Sequence, residues 1–127
     1  MAVQLNHTIV LARDKQETAR HLVEILGLPE PTTFGPFVVV QVSNDVSLDV
    51  ADDHGKPHAQ HYAFLVSEPE FDQIHERIKE RGLAWWADPF HRRPRAVNHD
   101  DGGRGLYWND PNGHSLEILT VPYGGWG

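Results

Sequence analysis

Two stretches of this chain run through the same order of elements, and that repetition constrains the fold more than any composition figure does. Residues 5–12, LNHTIVLA, are largely apolar with β-branched members and read as a strand. Asp14 then offers a helix cap, with Glu17 placed to reach back as its partner. Ala19, Leu22, Val23 and Leu26 follow at helical spacing, and Gly27 supplies the stop. After a turn rich in proline (Pro29, Pro31, Pro36), residues 37–42 and 46–50 read as two strands about an Asn44-Asp45 turn. The second half repeats the order. Residues 61–66 are strand-like, Ser67 and Glu70 form a second cap-and-partner pair, and Phe71, Ile74 and Ile78 carry a helical stripe ending at Gly82. Short strands are predicted near 83–86, 105–109 and 115–120, the last two separated by the turn Asp110-Pro111-Asn112-Gly113. Each half thus reads as strand–helix–strand–strand–strand. Aligned on these landmarks, His7 matches His61 and Asp49 matches Glu117.

A chain of 127 residues is then one domain of two modules, about 4–50 and about 61–123. A polar linker, 51–60, joins them, and a glycine-rich tail, 124–127, follows, in which Trp126 is available for docking. The polar insertion at 88–104 precedes a strand, and a loop of that length in a compact domain is functional or mobile. Eighteen acidic residues against eleven basic give a formal charge of −7, which argues against nucleic acid as a partner. No run approaches the roughly 18 apolar residues of a membrane span, and the N-terminus lacks the pattern of a secretory leader, so a cytoplasmic location is expected. The absence of cysteine excludes disulfides, thiolate metal sites and a cysteine nucleophile.

Alternate side chains of a strand share a face, so His7, Ile9 and Leu11 point together, as do His61, Ala63 and Leu65, and Glu117 with Leu119. Strands presenting His7, His61 and Glu117 to one cavity would make a 2-His-1-carboxylate site with open coordination positions. Such ligands suit iron, zinc, manganese, nickel or cobalt. The plain alternative for either histidine alone is an ordinary polar residue at a strand start. Glu117 resists that reading, because it interrupts an apolar run where an unpaired carboxylate is costly. Asp49 is a fourth ligand, a group orienting a histidine, or an exposed edge residue. Tyr107 is a hydrogen-bond donor or acid in the same cup, or a half-buried core tyrosine. Arg92, Arg95 and His99 on the insertion are candidates for holding an anionic substrate, against the alternative of a solvated loop. Trp108, with Trp85 and Trp86, is a candidate cavity wall, and His114 is expected to face solvent.

The segments LNHTIVLARDKQETARHLVEILGLP, HYAFLVSEPEFDQIHERIKERGL and GRGLYWNDPNGHSLEILTVPY resemble the vicinal oxygen chelate superfamily, over residues 5–123. That group includes glyoxalase I, extradiol dioxygenases, thiol transferases acting on fosfomycin and bleomycin-binding resistance proteins. The resemblance implies an α+β fold: two βαβββ modules forming a cup-shaped, incompletely closed mixed sheet with helices outside. It implies one divalent metal on His7, His61 and Glu117, with the glyoxalase branch's further acidic ligand falling on Asp49 and an active-site tyrosine on Tyr107. Small members often pair modules between chains, so a homodimer is expected. The fosfomycin branch's basic residue beyond the last strand has no counterpart near 123–127, and bleomycin binders generally lack the triad. The expected function is therefore a metal-dependent enzyme on a small substrate with adjacent oxygens, with extradiol-type oxygenase chemistry ranked first. Glyoxalase-type isomerase or lyase chemistry and thiol transfer follow, and the competing class is a metal-free drug-binding resistance protein.

Overall fold

The first strand, β1 (His7–Ala12), buries Val10 and Ala12 and leaves His7, Ile9 and Leu11 exposed on the other side, the alternation read from the sequence. The structure, a computed structural model, describes residues 3–122. The expectations for Tyr123 and for the tail, including docking by Trp126, lie outside the described residues.

The chain divides into two units, Met1–His58 and Ala59–Gly127. In unit one, β1 leads into α1 (Lys15–Leu26), whose free N–H groups at Gln16 and Glu17 are capped by the Asp14 carboxylate. Gly27 closes the helix in the left-handed region at φ 71°, where a side chain would be strained. Three strands follow, β2 (Thr32–Phe34), β3 (Phe37–Gln41) and β4 (Ser47–Asp52). The sheet order is β1-β4-β3-β2, with β1 and β4 parallel and the other pairs antiparallel. One face carries Val10, Val38, Val40, Leu48 and Val50 under the buried stripe of α1 (Ala19, Leu22, Val23, Ile25). The other face is open. Strand β2 lies where the residues read as a proline-rich turn; all three of its side chains are exposed, so it has no alternation to read.

Unit two repeats the plan with β5 (His61–Leu65), α2 (Glu68–Glu80), β6 (Trp85–Trp86), β7 (Gly105–Asn109) and β8 (Ser115–Leu119), in the order β5-β8-β7-β6. Strands β5 and β8 are parallel and the remaining pairs antiparallel. Ser67 and Glu70 form the expected reciprocal capping box at the start of α2. Phe71, Ile74 and Ile78 of the helix are buried, as are Leu106, Trp108, Leu116 and Ile118 of the sheet. Two βαβββ modules of the α+β class are therefore present.

The 88–104 insertion is built rather than loose. The Asp88 carboxylate accepts from the backbone N–H groups of Arg92 and Arg93. Asn98, buried, pairs through its backbone with Gly105, donates from its amide to the Ala87 carbonyl and accepts from the Asp100 N–H. A single 3-10 turn, Asp100–Gly102, follows. Arg104 then ties the segment to α2, donating to Glu68 and Asp72 with its guanidinium 4.3 Å from the Phe71 ring centroid.

Candidate metal centre

The parallel pairing in each unit fixes which side chains share the open face. In unit two, Ala63 of β5 lies beside Glu117 of β8, Glu117 beside Tyr107 of β7, and Tyr107 beside Trp86 of β6. His61 stands opposite Ser115, and its ring Nδ1 is 3.0 Å from the Ser115 carbonyl oxygen. A carbonyl only accepts, so Nδ1 carries a proton and donates, which directs Nε2 outward as the second functional atom. Nε2 lies 3.0 Å from Glu117 Oε1. Two lone-pair atoms face each other across that gap, and a proton or a cation must sit between them. Glu117 is 8% exposed. Burial pushes its carboxyl above the usual carboxylate range, against opposing hydrogen bonds from His61 and Tyr107, and the Asp100 charge pushes the same way as burial. The Tyr107 phenol donates to that carboxylate, and its ring stacks at 5.9 Å on the His61 imidazole.

Unit one carries the equivalent positions. His7 lies opposite Ser47 as His61 lies opposite Ser115, and Ile9 lies beside Asp49 as Ala63 lies beside Glu117. His7 Nδ1 is 2.7 Å from Asn6 Oδ1, an acceptor that again holds the proton on Nδ1. Asp49 is half-buried and accepts from the Ser47 hydroxyl at 2.9 Å. Both His7 and Asp49 line a cleft of about 510 Å³ with Ile9, Phe34, Phe37 and Val39.

The structure thus brings His61, Glu117 and Tyr107 together in one unit, and His7 and Asp49 in the other. Among the described residues, no group of three or more His, Asp or Glu side chains is close enough to hold a metal ion by itself. Trp108 is fully buried and shares the helix-facing side of its sheet with Leu116, opposite to Tyr107 and Glu117, because adjacent strand residues alternate. Arg92, Arg95 and His99 are exposed on the insertion, with the Arg92 guanidinium 5.5 Å from the Phe90 ring centroid. His114 corrects the expectation of a solvent-facing side chain: it is 1% exposed, its Nδ1 accepts from the Gln60 N–H, and its own N–H donates to Asp110. Two contributors escaped the sequence. The Ser115 carbonyl becomes visible only once strand register is known, and the Asp100 charge reaches Glu117 through the folded insertion.

The donor set fits a divalent metal. An imidazole fixed through Nδ1 by a carbonyl, with Nε2 converging on a buried carboxylate, is the arrangement that ligating histidines adopt. No protein-family model matches the chain. Among known sequences, the glutathione transferase FosA of Serratia marcescens is 26% identical over 124 residues, 93% of this chain and 81% of that protein. The metallothiol transferase FosB of Shouchella clausii (strain KSM-K16) is 37% identical over 60 residues, which is 47% of this chain and 37% of that one. Among solved structures, the oxidase ChaP-H1 is 64% identical and superposes with a TM-score of 0.95, over 98% of this chain and 100% of its own. With an oxidase at 64% identity, transferases among the sequence relatives and the repeated βαβββ plan, this chain belongs to the vicinal oxygen chelate superfamily and is an enzyme of that group.

Proposed function

We propose that the protein is a divalent-metal-dependent oxygenase acting on a small substrate with adjacent oxygens, and that His61, Glu117 and His7 hold the metal. The observation that carries this is the 3.0 Å approach of His61 Nε2 to Glu117 Oε1, with Nδ1 already committed to the Ser115 carbonyl. Two ligand atoms are preset, and a bound cation would give the buried carboxylate a positive partner. Likeness to an oxidase at 64% identity supports oxygen chemistry over the other branches. When bound, the metal would supply Lewis acidity and a template for two neighbouring substrate oxygens.

The chain's own groups do the rest. Tyr107 donates to Glu117 and so fixes the carboxylate's orientation, and its phenol is a proton donor on that face. Asp49, held by Ser47, stays beside His7 as an orienting group or a further ligand. Arg92 and His99 on the insertion supply donors for an anionic part of the substrate. Exposed Ile9, Leu11 and Leu65 on the open faces support association with a second copy, by which small superfamily members complete their sites. Light scattering at micromolar concentration should then report a dimer, and a monomer that still binds metal would refute the pairing.

The direct test is oxygen uptake by protein loaded with iron(II), manganese(II) or zinc(II), offered catechols, 2-hydroxy ketones and 2-oxo acids. We expect metal-dependent uptake with at least one class. Tyr107→Phe should lower it about 10- to 100-fold, the usual cost of removing a group that orients a ligand. The 26% identity to a glutathione transferase favours one second reading, thiol transfer to an epoxide. Turnover of thiol–epoxide pairs without oxygen uptake would establish that reading instead.

A further inference from the structure

Strand β6 is only two residues long and lies at the edge of its sheet, and the chain after it folds back along that edge. Trp86 bridges Pro94 in antiparallel fashion, and the Arg95 N–H donates to the Trp85 carbonyl at 2.9 Å. Between this returning segment and the end of α2 lies a cleft of about 690 Å³, within the size range of small-molecule sites. Its walls are Leu83, Trp85, Trp86 and Pro94, and its charged groups are Lys79 and Arg95. No carboxylate lines it, in a chain with a formal charge of −7.

Arg95 is the unusual member. Its backbone sits at φ 54°, in the left-handed region that a side-chain-bearing residue avoids, and its N–H bond to Trp85 holds it there. Among the described residues its guanidinium has no carboxylate partner. Asp88, the nearest acid on the N-terminal side of Arg95, spends its oxygens on the backbone N–H groups of Arg92 and Arg93. Lys79 pairs with Glu76 at 3.2 Å, but both side chains are well exposed and the pair is weak.

We infer that this cleft is a second binding site, for a planar aromatic carboxylate. The His91 ring already covers one face of Trp86 at 3.6 Å, and the remaining indole and proline walls favour a flat ring, which stacks on an aromatic face. An unpaired guanidinium favours a carboxylate, which it meets through two parallel hydrogen bonds. A bare inorganic anion would leave the indoles unused, and a neutral arene would leave Arg95 unused. The site shares no residue with the His61–Glu117–Tyr107 cluster and does not depend on a bound metal.

Titration calorimetry of the full chain with 2-naphthoate tests this. We expect saturable binding that EDTA does not change. On the unaltered chain, 2-naphthamide and cyclohexanecarboxylate should each bind about tenfold or more weakly, since one lacks the charge and the other the flat ring. Arg95→Gln should weaken naphthoate about tenfold without weakening naphthamide, whereas Arg20→Gln, exposed on α1 and outside the cleft, should leave both within about twofold. No heat at millimolar naphthoate would overturn the inference. So would equal affinity for naphthoate and naphthamide, naphthoate binding unchanged in a folded Arg95→Gln protein, or binding lost with EDTA, which would assign the ligand to the metal centre instead.

Discussion

A β-carbon added at Gly105 would lie 2.9 Å from both amide atoms of Asn98, closer than such contacts occur. Asn98 cannot simply swing aside, because its amide donates to the Ala87 carbonyl at 2.8 Å and accepts from the Asp100 N–H at 3.2 Å. Gly105→Ala should therefore expel the Asn98 side chain. Each hydrogen bond lost costs a net of about 1 kcal/mol, and a buried carbonyl left bare costs about 1–3 kcal/mol. Ala87 is 2% exposed, so its carbonyl is in that position, whereas the exposed Asp100 N–H can turn to water. The sum is a loss of about 2–4 kcal/mol. Asn98→Ala removes the same bonds and should cost a similar amount. In the Asn98→Ala background the clash has gone, so adding Gly105→Ala should cost less than about 0.5 kcal/mol. Urea denaturation of the four proteins reads this as a coupling of about 2 kcal/mol or more. Additive costs would refute the claim that Asn98 pins the insertion against β7.

Two further predictions follow from histidines packed within unit two. His75 packs against Phe71 and Trp85 with a buried, unpartnered Nε2, and burial first, then the Lys79 and Arg104 charges, holds its pKa below the ordinary 6.5. Below that ordinary value the unfolded chain binds the proton more readily, so this contribution is complete above pH 6.5 and lost as pH falls through the lower folded value. His75→Phe should flatten the fall in denaturation midpoint between about pH 7.5 and 5.5, and parallel profiles for the two proteins would count against it. His114→Ala leaves the Gln60 N–H without its acceptor and opens a cavity, so it should cost about 2–4 kcal/mol while metal content per folded chain stays unchanged.

Much of the fold was legible because the pleat and the repeat say the same thing twice. Alternation in 5–12 and 61–66 put His7 and His61 on open faces, and the match of Asp49 to Glu117 reappears in the register, each beside the third residue of its parallel neighbour. The capping residues at Asp14 and Ser67 were readable because they act within three positions in sequence. Contacts across long sequence separations were not. His114 precedes β8 next to a polar turn, which reads as surface, yet it is buried against Gln60, 54 positions away. Trp108 reads as a possible cavity wall until its one-residue offset from Tyr107 sends it to the helix side. Strand β2 hides among prolines because its partner, β3, supplies all the apolar burial of that hairpin.

The central claim is that His7, His61 and Glu117 hold one divalent metal. The measurement closest to it is metal content, by plasma mass spectrometry, of tag-free protein purified without chelator and compared with single alanine variants. His7→Ala, His61→Ala and Glu117→Ala should each retain about tenfold less metal than the unaltered chain, while His99→Ala, exposed on the insertion, should match it. Equal metal in all five proteins, or a chain that takes up none of the first-row divalent metals offered, would contradict the account.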